Sequence, residues 1–375
     1  MINWIANDFI ALLIALVLTG IIIPQILLIA FRKKLFDDVD ERKIHKGVVP
    51  RLGGIAFLPS ILFSLAVVVG WDLRLGGLDE WSQFSYTLIP MFFMISATLL
   101  MFLVGIADDL VGVRYVAKFI VQILSAVLII MSGMFIDDLF GFIWLEKLPI
   151  WLGILATGFA VVYVVNAINL IDGIDGLASG LSTVALVFYA IAFYIGGEYV
   201  YSMLACATVG TLFPFFYFNV FGNASKRKKI FMGDTGALTT GMILVFCAIA
   251  MLHVQGQAFS TEYNPFVLAI SPLIIPCFDV VRVYLHRVRA HRNPFLPDKC
   301  HIHHKLLALG LNQRAALCVI LLWAILFIIV NVSFSNLINP TILIFTDIVI
   351  WTCVNIILSR CIRAREKRLN VHLFD

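Results

Sequence analysis

Four short stretches of this chain carry residues whose types and spacing suit chemistry on phosphate. In "NLIDGIDGLASG", Asn169, Asp172 and Asp175 recur at intervals of three, directly between two apolar runs. Polar groups at a lipid boundary are costly and by default mark a functional site. "ADDLVG" sets Asp108 beside Asp109, with Lys118 nine residues past the pair. Adjacent carboxylates repel, so such a pair serves as a base or a metal anchor where a cation stands by. A plain helix end has the same letters, and Asp137 and Asp138 are read in that way. "MGDTGALTTG" places Asp234 between glycines at the start of an apolar run, with Thr235 expected to cap the helix that follows. One carboxylate at such a point can hold Mg²⁺, which takes one or two protein ligands and fills its shell with substrate phosphate oxygens. "CHIHHKLL" gathers His301, His303 and His304 in a loop rich in Arg and Lys. Three histidines could ligate a transition metal. The companion stretches offer oxygen ligands, however, and the surroundings are cationic, so phosphate binding is the better reading.

The elements that must position these residues belong in lipid. The chain has 375 residues, is 61% hydrophobic and 13% charged, and has a mean hydropathy of +1.00. Soluble domains carry roughly a quarter charged residues, so a soluble globule is excluded. About eleven runs approach the ~20 residues needed to cross a bilayer. They lie near 8–31, 53–71, 86–107, 115–134, 150–168, 177–195, 201–220, 236–253, 265–283, 314–334 and 342–360. The first lacks the basic start and small-residue cleavage site of a signal peptide, and is read as a retained helix. The fold class expected is all-α: a polytopic integral membrane protein whose residues 1–375 form a single domain. Seven Cys lie mostly within apolar runs, with no CxxC spacing, and carry no assigned chemistry.

Cytoplasmic loops collect Lys and Arg. Segments 32–52, 106–118, 221–235, 282–314 and the tail from Arg360 hold all of the 27 basic residues except Arg74 and Lys147. The expected orientation puts the N-terminus outside and the C-terminus in the cytoplasm. The loops at the opposite face are short, the longest lying around "FIDDLFGFIWLEKLP". Hydropathy alone thus brings every one of the four stretches, and the basic segment with Lys46 and Arg51, to one membrane surface. Two chemistries from different classes fit that surface. A transporter would place its acids near the bilayer midplane, usually with repeat symmetry, whereas these acids sit at span ends and no repeat is visible. An enzyme joining a phosphorylated, water-soluble donor to a lipid phosphate fits better.

"GIADDLVG", "NAINLIDGIDGLASG", "FMGDTGALTTG" and "NPFLPDKCHIHH", in this order, resemble the polyprenyl-phosphate N-acetylhexosamine-1-phosphate transferase family over roughly residues 32–310. The loop "NPFLPDKCHIHHKLLALG" looks like the branch using UDP-N-acetylglucosamine, which starts O-antigen, enterobacterial common antigen or teichoic-acid linkage synthesis. It does not look like the loop of the pentapeptide translocase of peptidoglycan synthesis, which is the alternative within the family. The resemblance implies attack of undecaprenyl phosphate on the β-phosphate of UDP-N-acetylglucosamine, with UMP released. It further implies a multi-pass protein of the bacterial inner membrane with its site on the cytoplasmic face, possible pairing into a homodimer, and no nucleic-acid partner. Mg²⁺ is the implied metal, with Mn²⁺ as a substitute, and Asn169 and Asp234 match its ligands. Asp108 and Asp109 match an acidic pair whose role is either proton removal or metal support, and Lys118 the lysine used on the lipid phosphate. Asp175 and Phe231 match positions that bond and stack on uracil, with Asp172 also facing the nucleoside. His301, His303 and His304 match the diphosphate-binding loop, and Asn219, Lys46 and Arg51 complete the expected substrate-binding set. One departure is the gap from Asn219 to Asp234 with its "KRKK", longer than in the peptidoglycan translocase.

Overall fold

The structure, a computed structural model, describes residues 3–35, 48–75, 81, 85–254, 262–291 and 300–370. Among these, every named element is helical. A backbone in hydrocarbon must satisfy its polar groups within the segment, and helices do so. Ten helical segments are long and apolar enough to cross a membrane, and Tyr115–Met131 is a shorter apolar helix of 17 residues. At 1.5 Å per residue it is about 26 Å long. It nevertheless joins the two ends of the bundle, because Lys118 at its start and the Met134–Leu148 turn beyond its end contact opposite sets of loops.

In chain order the helices are α1 (Trp4–Lys33), α2 (Phe57–Arg74), α3 (Ser85–Val111), α4 (Tyr115–Met131), α5 (Ile150–Ile171), α6 (Leu177–Gly196) and α7 (Tyr199–Phe216). They continue with α8 (Gly233–Met251), α9 (Pro265–Ile270), α10 (Ile274–Arg289), α11 (Ile302–Ala308), α12 (Gln313–Phe334) and α13 (Pro340–Leu369). A 3₁₀ turn, Gly53–Ala56, precedes α2, and a π-helical turn, Tyr217–Phe221, prolongs α7. The run expected as one span over 265–283 is one candidate span, Pro265–Arg289, within which α9, a 3₁₀ turn at Ser271–Leu273 and α10 follow without a gap. Pro272 and Pro276 accompany the tighter turn, since each removes a backbone donor from an otherwise apolar stretch.

The bundle is built round α8, which packs on α3 and α5 and is buried along nearly its whole length. Beyond Asp234 and its three threonines it is apolar and buried on all sides, as suits a helix enclosed by others rather than one facing lipid. α1 packs along α7, and α6 packs on α7 and α8. This arrangement holds the start of α8, which carries Asp234, at the centre of one end of the molecule.

Candidate functional site

At that end the acidic motifs converge on one lysine. Lys118 Nζ lies 3.0 Å from Asp108 Oδ2 and 2.7 Å from Asp234 Oδ2. Asn169 Nδ2, from the last turn of α5, donates to the same Asp234 oxygen at 3.4 Å. Three helix ends and the first turn of α4 therefore meet at a single carboxylate. The second oxygen of Asp108 accepts from Val113 N at 2.7 Å, which fixes the rotamer.

Asp109 does something different from its neighbour. Its Oδ1 accepts from Asp234 N at 2.8 Å, while its Oδ2 accepts from Thr235 N at 2.9 Å and from Thr235 Oγ1 at 2.6 Å. The free N–H groups at the start of α8 are thus capped by a carboxylate on α3 rather than by Thr235, as the sequence suggested. Thr235 lies inside the helix, which begins at Gly233. A negative charge at a helix start is also favoured by the helix dipole. Gly233 has φ +71°, and a Cβ there would collide with the Arg51 carbonyl and the Asp109 carboxylate. The segment from Pro50 runs alongside: Phe231 N donates to Pro50 O, Gly53 N to Phe231 O and Gly54 N to Met232 O at 2.8–3.0 Å.

α5 ends at Ile171, so Asn166 and Asn169 lie on the helix, Asp172 at its end and Asp175 in the turn that follows. Asn166 bonds Gln122 of α4 at 2.7 Å and serves to join the two helices. Asp172 is exposed within the concave end of the bundle. The enclosing protein, then the like charges of Asp175 and Asp234, push its carboxyl up to about 7, with Arg51 opposing. Asp175 has a cationic partner, because Lys229 Nζ lies 2.6 Å from its Oδ2. Lys229 is only 7% exposed and stands 6.0 Å from the centroid of the Phe231 ring. Beyond this pair opens a cleft of about 440 Å³, bordered by Val220, Gly222, Asn312, Gln313 and Arg314.

Asn219 does not face that cleft. Its Oδ1 accepts from Gly176 N at 2.6 Å and its Nδ2 donates to Ile230 O at 2.8 Å, so it ties the Asp175 turn to the Phe231 segment.

The histidines also differ from a set of exposed cations. His301 Nδ1 is 2.8 Å from Asp279 Oδ2, and Asp279, 0% exposed, also accepts from Arg282 at 2.7 Å. His303 is 1% exposed, with its ring pressed against Gly173 so closely that a Cβ there would collide with Nε2. Burial, reinforced by His304, pushes the His303 imidazole down to about 3, so it is neutral. Neither of its nitrogens has a hydrogen-bond partner among the described residues. Buried polar atoms are costly without one. The His304 ring lies 4.2 Å from that of His303.

The structure therefore brings Asp108, Asp109, Lys118, Asn169 and Asp234 into one cluster. Asp175 and Phe231 form a second with Lys229, and His303 joins the connecting turn. Lys46 lies outside the described residues, as do Arg292 and Lys299. Lys229 and Asp279 escaped the sequence reading. Lys229 ends a basic run that any cytoplasmic flank would have, and only its distance of two residues from Phe231 hinted otherwise. Asp279, a lone acid in an apolar span, was the clearer signal, since such a residue requires a partner.

A hard dication fits here. The position between Asp108 and Asp234 already holds a cationic ammonium, and the oxygens of Asp234, with the Asn169 amide turned to present its carbonyl, make the donor set Mg²⁺ prefers. Among the described residues no three His, Cys, Asp or Glu side chains gather so as to hold a metal ion, so most ligands of an ion bound here would come from water or substrate.

Comparison with known proteins gives an independent result. Residues 91–252 match the family described as glycosyl transferase family 4. The chain is 31% identical over 319 residues to a probable undecaprenyl-phosphate N-acetylglucosaminyl 1-phosphate transferase of Bacillus subtilis, covering 85% of this chain and 82% of that protein. It is 31% identical over 310 residues to the undecaprenyl-phosphate alpha-N-acetylglucosaminyl 1-phosphate transferase of Yersinia pestis, covering 81% and 78%. Identity is 29% over 306 residues to the decaprenyl-phosphate N-acetylglucosaminephosphotransferase of Mycobacterium tuberculosis, covering 76% and 71%.

Proposed function

The chain belongs to the polyprenyl-phosphate N-acetylglucosamine-1-phosphate transferases of glycosyl transferase family 4, and on that premise we propose how it works. It is a multi-pass membrane enzyme that transfers N-acetylglucosamine 1-phosphate from UDP-N-acetylglucosamine to undecaprenyl phosphate. The active end faces the cytoplasm of a bacterial inner membrane, and the product starts an envelope glycan. In the reaction an oxygen of the lipid phosphate forms a bond to the β-phosphorus of the donor. The bond from that phosphorus to the bridging oxygen breaks, and UMP leaves with the electron pair.

The observation that carries this reading is Lys118, held between Asp108 and Asp234 at the end of the bundle where α5 delivers Asn169 and the turn with Asp175. Phosphoryl transfer needs positioning and charge neutralisation more than covalent help. Lys118 meets the lipid phosphate, and Asp108 orients it and takes any residual proton. A strong base is unnecessary, because a phosphate monoester has its second pKa near ~6. Asp234 and Asn169 would hold Mg²⁺, which supplies neutralisation of the diphosphate charge. Asp109 is a positioning residue that aims Asp234 through the start of α8. Asp175, Lys229 and Phe231 take the nucleoside, and neutral, buried His303 supports the turn at Gly173 from behind. The test is purified protein with undecaprenyl phosphate, Mg²⁺ and a panel of UDP-sugars, scored for UMP and lipid product. UMP formation with UDP-N-acetylglucosamine is expected; no UMP with any donor would overturn the assignment.

A further inference from the structure

α11, which carries His303 and His304, has 7 residues. A helix this short does not hold itself in water. Its contacts show what does. At its start, Ile302 N donates to both oxygens of Asp279 at 3.2 and 3.3 Å, and the same carboxylate binds the His301 ring. The helix packs on both α12 and α13, and α13 supplies further hydrogen bonds. Lys305 Nζ donates to Asn355 Oδ1 at 3.1 Å, to Asn355 O at 3.4 Å and to Ser359 Oγ at 3.0 Å. Arg365 donates through a guanidinium nitrogen to Ala308 O at 3.0 Å, closing the last turn of α11. At Gly310, with φ +92°, the guanidinium lies so close that any side chain would collide with it.

α13 has 30 residues, about 45 Å at 1.5 Å each, so it outruns the ~30 Å hydrocarbon core. Its surplus carries Arg365. The polar residues Asp347, Asn355 and Ser359 lie on one face at multiples of four. Asp347 Oδ2 accepts from Asn331 of α12 at 2.8 Å, which sets the axial register of α13 inside the bilayer. Polar groups buried between helices fix register in this way. None of these α13 residues borders the cleft at Asp175. The chain of contact runs from Arg365 and Asn355 through α11 to His303, then to Gly173 in the turn between Asn169 and Asp175.

We propose that the cytoplasmic end of α13 is the clamp that seats α11, and that Arg365 is a positioning residue for the donor side of the site. The proposal rests on the reading of that site as the place of the UDP-sugar. Lys305 belongs to the clamp as well: its ammonium meets neutral oxygens, and burial pushes it down to about 8.

The experiment uses the full-length protein in nanodiscs and compares Arg365→Ala and Arg365→Lys with the parent. Arg365→Ala should raise KM for UDP-N-acetylglucosamine about tenfold, the equivalent of one net hydrogen bond. KM for undecaprenyl phosphate should stay at the parent value, and amides 303–310 should exchange with deuterium faster. Arg365→Lys, which can still donate to Ala308 O, should recover most of both effects. Parent-like donor KM and parent-like exchange in Arg365→Ala would overturn the clamp. So would an equal rise in both KM values with a lowered unfolding midpoint, which is the mark of general destabilisation. If the parent makes no UMP from any donor, the functional assignment fails, and the exchange arm still decides the clamp.

Discussion

Asp108 and Asp109 are neighbours with opposite jobs, and the two should fail differently. Asp109 uses both oxygens on the N–H groups at the start of α8 and on the Thr235 hydroxyl. Asp109→Asn turns one acceptor into a donor that faces other donors, so unfolding in detergent should come earlier by about 1–2 kcal/mol, the worth of a helix cap. Asp108→Asn keeps the oxygen that receives Val113 N. Its other oxygen becomes an amide facing Lys118 Nζ, a single partly exposed pair. Unfolding should therefore come earlier by less than in Asp109→Asn, while transfer drops on the order of a hundredfold, the low end for a proton-handling group. Equal unfolding and equal activity in the two variants would remove the distinction. His303 makes a separate prediction in pH. Its folded value near 3 lies below the ordinary histidine value of 6.5, so the unfolded chain binds the proton first. Stability attributable to His303 is therefore full above about 6.5 and is lost as pH falls toward 3. Thermal unfolding measured from pH 7.5 to 5 should decline less steeply in His303→Gln than in the parent; parallel slopes would show that another group carries the acid sensitivity.

The π-helical turn after α7 carries Asn219, which lies between Gly176 N and Ile230 O. Asn219→Ala leaves both groups unpaired in a buried place, at about 1–3 kcal/mol each. Because these groups sit next to Asp175 and one residue before Phe231, calorimetry should show weaker UMP binding. Unchanged UMP affinity would mean that the two segments are held by other contacts. This element also shows where the sequence stops being informative. The spans were legible because about twenty apolar residues in a row have few alternatives in water, and the site was legible because charge assigned its motifs to one face. The partner of Asp175 was not, since Lys229 is 54 positions away and reaches it only through the bend at Tyr217–Phe221. Nor was the 3₁₀ turn at Ser271–Leu273 within the span Pro265–Arg289, because proline leaves hydropathy almost unchanged while removing a backbone donor. Asp109 was read for its charge, whereas its geometry makes it a cap.

At the scale of the molecule, the polar contacts sort into two ends. One end holds Lys118, Asp234, Asp175 and the histidine helix. The other holds Asn7 with Asp72 at 2.6 Å, Asp8 with Ser202 at 2.6 Å, and the turn after α4, where Phe135 O meets His253 and Phe140 O meets Asn264. Among the described residues nearly all Lys and Arg belong to the first end, and cytoplasmic loops collect Lys and Arg. The orientation that follows can be tested with two cysteines. Ser225, exposed between α7 and α8, belongs to the basic end. Between α12 and α13 the natural choice would be Ser335, but it is buried at 2% exposure, so the adjacent Leu337, 77% exposed, is the usable position. Cys318, Cys353 and Cys361 are exposed and must first be replaced by serine. In intact cells an impermeant maleimide should then label Leu337→Cys and leave Ser225→Cys unlabelled until the membrane is opened. The reverse pattern would invert the molecule and put the cleft outside, where no UDP-sugar pool exists to supply it. Labelling of both from outside would break the eleven-crossing path, including the short α4, on which the convergence of Lys118 and Asp234 at one membrane face depends.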